Sequence, residues 1–179
     1  MHYVNRLLAV FMITLLSSAA LAWDPSEVED LNDKAMEAKG EMLEADPKMQ
    51  RFFDTANAYV IIPTVGKAGF GIGGARGKGL LYEGGKPSAI VTLTQLTVGF
   101  QWGGQAYSEF LFFKDAKNTE DFKRGNYELG AQASAVAVTA GVSADANYTN
   151  GVAVFTRAKG GLMYEASVGG QKFSVKTPK

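Results

Sequence analysis

Four cationic side chains, Lys67, Arg76, Lys78 and Lys86, lie in or beside a stretch that holds nine glycines between Gly66 and Gly85. Backbone so poor in side chains exposes its N–H groups. Such groups, with two or three cations nearby, make an anion site without any helix. Phosphate head groups suit that chemistry. Phe70 lies among the cations and completes a candidate lipid- and anion-binding set of Lys67, Phe70, Arg76, Lys78 and Lys86. The plainer alternative is that the cations are scattered, solvating charges.

Other chemistry is narrower. Gly69, Gly71 and Gly74 satisfy G-x-G-x-x-G, but a dinucleotide site needs a helix to begin there, and Arg76-Gly77-Lys78-Gly79 is not helical. A phosphate-binding Walker loop fails on spacing, with Ile72 and Gly79 at its fixed positions. The chain has no cysteine and one histidine, His2. Thiolate nucleophiles, disulfides, cysteine-ligated metals and most zinc chemistry drop out together. Neither a cofactor nor a metal is expected. Carboxylates remain, and Glu109 with Asp115 or Glu128 is the candidate pair for hydrolysis, which needs two acids about 5–10 Å apart.

Elements must position these groups. Residues 1–22 read as a secretory signal: Arg6, an apolar run from Leu7 to Leu16, then Ala20-Leu21-Ala22 as a cleavage site. The run is too short to span a bilayer. Cleavage after Ala22 would leave a soluble, exported, periplasmic chain from Trp23. Without cysteine it is no lipoprotein.

Residues 23–57 read as helical. Asp24-Pro25 offers a cap and a first helical position, and Val28, Leu31, Ala35, Ala38 and Met42 make one apolar face. Asp46-Pro47 opens a shorter helix bearing Met49, Phe52 and Phe53. From Ala58 the pattern is that of short strands. Ala58 to Ile62 is expected to stop at Pro63, and further strands are expected over 89–93, 96–102, 107–113, 129–139, 152–157 and 162–175. One helix capped by Asn118 or Thr119 should run through Arg124 and end at Gly125. The fold class is α+β: a strongly bent antiparallel sheet or small barrel flanked by N-terminal helices, in one domain over 23–179. Glycines within strands would let the sheet bend and let backbones approach.

Charge divides the same way. Asp24 to Asn57 carries ten acids and four bases; from Ala58 onward there are eight acids and thirteen bases. An anionic partner should meet the second part. Nucleic acid is not expected as a partner.

The run from Lys67 to Gly77 resembles the signature of SYLF domains. The runs Gly99 to Gln105, Lys159 to Leu162 and Ala166 to Gly170 resemble that family's later glycine-rich strands, in the same order. The resemblance implies a barrel-like sheet flanked by helices, binding to membrane phospholipids and no enzymatic activity. Relatives use a basic amphipathic N-terminal helix on the membrane, whereas the corresponding helix here is acidic. Some bundle actin, which an exported protein does not meet. The leading expectation is a non-catalytic module of the bacterial cell envelope that binds anionic phospholipid. The alternatives are a structural or protein-interaction module of the periplasm and a carboxylate hydrolase.

Overall fold

The computed structural model describes residues 24–99, 105–130, 133, 135–138, 147–160 and 168–178, with backbone alone for 69–72 and 97–99. The signal-like segment, Phe100, Trp102 and residues 162–167 of the expected strand over 162–175 lie outside them.

Helix α1 (Pro25–Ala45) begins as its sequence dictates. The Asp24 carboxylate accepts the Ser26 N–H at 2.9 Å, and Pro25 occupies the first turn, where its missing N–H costs nothing. Leu31, Ala35, Ala38 and Met42 are buried along one stripe. Asp46 accepts from Lys48 N at 3.1 Å and opens a 3-10 turn (Pro47–Met49) that leads into α2 (Gln50–Thr55).

The sheet contains β1 (Ala58–Glu83), β2 (Lys86–Gly99), β3 (Gln105–Phe113), β4 (Tyr127–Glu128), β5 (Val136–Ala137), β6 (Val152–Ala158) and β7 (Lys172–Lys176). Their order among the described residues is β4-β7-β2-β1-β3-β6-β5, antiparallel except for the parallel β5–β6 pair. The fold is α+β with a strongly curled sheet, as expected.

Pro63 does not end a strand, because β1 runs through it. The register with β3 is interrupted between Ile62 and Val65, which is where a strand tolerates a residue with no N–H to donate. The first half of β1 pairs with β3 and the second, from Gly71, with β2. Ile62 and Gly79 are seventeen residues apart, which would be about 55 Å along a straight strand. A Cβ built on Gly79 would nevertheless lie 2.7 Å from Ile62 Cα. The strand therefore curls until its two halves lie backbone on backbone.

Alternation divides the side chains into two cores. Val60, Ile62, Leu81, Val91, Leu111, Phe113 and Phe173 fill the inside of the curl. Tyr59, Ile61, Tyr82, Phe110, Phe112 and Phe155 point outward and are covered by α1 and α2. Phe52 meets Phe112 at 5.3 Å and Phe53 meets Tyr59 at 5.1 Å between ring centroids. Each such ring contributes about 1.5–3 kcal/mol by burial. The cover is also pinned by polar contacts: Arg157 to Glu41 at 2.6 Å, Tyr82 OH to Asn32 at 3.0 Å, and an ion pair between Lys78 and Glu27.

Helix α3 (Ala116–Lys123) starts earlier than the sequence reading placed it. Its cap is Asp115, which accepts from Asn118 N at 2.9 Å, and Thr119 sits inside the helix, donating to Asn57 Oδ1 at 2.8 Å. Gly125 ends it with φ of 78°. Among the described residues no helix is long and apolar enough to cross a membrane.

Candidate functional site

The four cations singled out by sequence do not converge. Lys67 is on the inner face of β1, opposite Gln105, and only 8% exposed. Burial pushes its ammonium pKa down. Arg76 and Lys78 lie on the outer face, two residues apart and exposed. Lys78 is held by Glu27 from the first turn of α1. Lys86 is exposed at the β1–β2 turn, paired with Glu83, and Arg76 pairs with Thr94. Eight residues of strand, about 26 Å, separate those two pairs. The Phe70 side chain lies outside the described residues.

Register assembles a different group. Arg76 pairs with Thr94 on β2, Thr94 with Lys172 on β7, and Lys172 with Glu128 on β4. Directly paired residues share a face, so the four form one row across the outside of the sheet, and all four are exposed. Leu96, two residues beyond Thr94 on the same face, is 77% exposed. A shallow depression of about 340 Å³ borders Thr94, Leu96, Gly170 and Lys172. The Lys172–Glu128 contact is long, 3.7 Å, between two well-exposed groups, and such pairs contribute little. The first turn of α1 reaches the sheet at Lys78, and Arg76, Gly74, Thr94 and Leu96 lie past it along the strands, uncovered. The result is two cations flanking a hydroxyl, with a bare leucine beside them.

Sequence reasoning missed Thr94, Leu96 and Lys172. Arg76 and Lys172 are far apart in the chain and meet only through two strand pairings. Leu96 carried a signal: it alternates with residues whose burial the strand period implies, yet lies beyond the reach of α1.

The carboxylates separate. Asp115 caps α3 and Glu128 faces Lys172, whereas Glu109 is fully buried inside the curl, hydrogen-bonded by Gln171 Nε2 at 2.9 Å. Tyr107, Phe110, Phe112 and Phe113, the described part of the aromatic-rich strands, are core.

The described residues thus combine a curled antiparallel sheet, α1 and α2 packed on its outside, and an exposed face that carries basic and apolar side chains. Residues 94–178 match the family model described as Ysc84, Las17-binding protein actin regulator, a match consistent with the SYLF domain that the sequence resembles. The match takes in Thr94, Leu96 and Lys172 and begins after β1. No curated protein matches the chain.

Proposed function

We propose that this protein is a non-catalytic module that binds anionic phospholipid surfaces through the outer face at Arg76, Thr94, Leu96 and Lys172, working in the cell envelope after loss of residues 1–22. The observation that carries the reading is the register row that sets Arg76 and Lys172 on either side of Thr94, beside a leucine that is 77% exposed. Cations suit head-group phosphates, and an exposed leucine suits the acyl boundary. The acidic α1 supports the same face. Its Lys34 is paired with Asp30 at 2.7 Å and its Lys39 lies 4.3 Å from the Phe53 ring centre, so both are engaged within the protein.

Co-sedimentation with phosphatidylglycerol vesicles tests this. A basic side chain near an anionic surface contributes about 1 kcal/mol. Arg76→Gln with Lys172→Gln should therefore weaken binding about thirtyfold, and the loss should shrink as salt is raised. Leu96→Ser should weaken it about tenfold at every salt concentration. Lys34→Gln should change nothing. Binding retained by the double variant but lost by Lys34→Gln would move the contact to α1. Absence of binding by the unaltered protein would leave the same face to a protein partner.

A further inference from the structure

The inside of the curl is apolar at one end and polar toward the other. Tyr107, Glu109, Thr156 and Gln171 are at most 1% exposed. Thr156 stands directly opposite Glu109 in the β3–β6 pairing, which puts their Cβ atoms about 5 Å apart on one face. Gln171 reaches the pair from the turn before β7. That turn is fixed from two sides: Leu129 and Gln171 are joined by an N–H to O bond of 3.0 Å, and Gln95 Nε2 donates to Gly169 O at 2.9 Å. Gln171 Nε2 donates to Glu109 Oε2 at 2.9 Å and to Tyr107 OH at 3.4 Å.

These bonds consume the amide's donors and leave acceptors over. Glu109 Oε1, Gln171 Oε1 and Thr156 Oγ1 are buried and have no hydrogen-bond partner among the described residues. Buried polar atoms in native proteins are nearly always satisfied, and three such oxygens from three strands or turns require a common explanation. Lys67 shares the inner face but pairs with Gln105, four residues from Glu109 on β3, about 13 Å along the strand. Among the described residues Tyr107 and Tyr127 are further titratable groups on this face, and burial pushes both phenol pKa values up and holds them neutral.

We propose that Glu109, Thr156 and Gln171 form an internal binding site for one dehydrated monovalent cation. A carboxylate, an amide carbonyl and a hydroxyl are hard oxygen donors, the type that alkali and alkaline-earth cations prefer. One carboxylate carries one charge, so a monovalent ion neutralises the site, whereas a divalent ion would leave a buried positive excess. The ion also competes with the proton that would otherwise sit on Glu109.

Thermal unfolding of the full chain, dialysed into choline chloride and then measured in sodium, potassium or choline chloride at equal ionic strength, tests this. At about pH 9 sodium or potassium should raise the midpoint by about 3 °C or more over choline, with saturation. At about pH 5, with the proton in place, the three salts should coincide. Glu109→Gln and, separately, Thr156→Val should remove or reduce the difference at pH 9. Identical midpoints in all three salts at pH 9 overturn the site, and so does an undiminished difference in Glu109→Gln. A response to calcium alone would overturn the monovalent assignment.

Discussion

Between about pH 5 and pH 8 the protein should lose roughly 1.4 kcal/mol of stability per pH unit, with choline as the only added cation. The cause is Glu109. Burial, opposed by the Gln171 hydrogen bond, pushes its carboxyl pKa up to about 8 from an ordinary value of 4.5. Below the ordinary value both folded and unfolded chains hold the proton, and the stability is fully present. Through the window the unfolded chain has released the proton and the folded chain has kept it, so rising pH favours unfolding. Above about 8 both are ionised and the loss levels off. Across the window it is on the order of 4 kcal/mol, against a total that is commonly 5–15 kcal/mol. Other groups act elsewhere. Hydrogen bonds from Ser26 to Asp24 and from Lys117 to Asp121 lower those carboxyl pKa values, so their influence falls at more acid pH. Urea unfolding at a series of pH values measures the slope. Glu109→Gln keeps the shape, removes the titration and should be nearly flat. If that variant shows the slope of the unaltered protein, the pH dependence comes from another group.

What could be read from the sequence was local. Asp24-Pro25 caps α1, and the stripe Leu31, Ala35, Ala38 and Met42 is buried as its spacing implies. Helical periodicity and capping involve neighbours within a turn or two, and nothing distant overrides them here. The bend at the glycines was legible for the same reason, since only residues without side chains allow it. Pro63 misled because proline's usual effect on a strand assumes a regular ladder, and the β1–β3 ladder is irregular there. Asn118 and Thr119 misled because Asp115, just upstream, is the better-placed acceptor. The candidate site was the least legible part. Lys67, Arg76 and Lys78 are close in sequence, but alternation sends Lys67 to the opposite face, and α1 engages Lys78. Arg76 and Lys172 become neighbours only when β2 lies between β1 and β7 in one register.

The bend itself yields the other large effect. Gly79→Ala should destabilise the protein by about 3 kcal/mol or more, enough to leave much of it unfolded or insoluble. The added methyl would meet Ile62 Cα at 2.7 Å and Ile61 C at 2.8 Å, both backbone atoms of the other half of β1. No rotamer change relieves such a contact, so the halves must separate and the inner core with them. Gly77→Ala should cost less. Its nearest neighbour is the Ile62 Cγ2 methyl at 2.7 Å, which can rotate away, although Thr64 O and Val65 Cγ2, each at 3.0 Å, limit the relief. Gly66→Ala meets nothing within 4 Å and should be within about 1 kcal/mol of neutral, with a gain possible from a stiffer unfolded chain. Urea midpoints at about pH 5, where Glu109 is protonated in the folded chain, should rank Gly66→Ala above Gly77→Ala and Gly77→Ala above Gly79→Ala. If the glycines served only to expose N–H groups to an anion, Gly79→Ala would unfold like the unaltered protein and lose vesicle binding alone. The backbone-on-backbone contact requires the reverse order of events: stability falls first, and binding is lost only because the face carrying Arg76 and Leu96 is no longer held together.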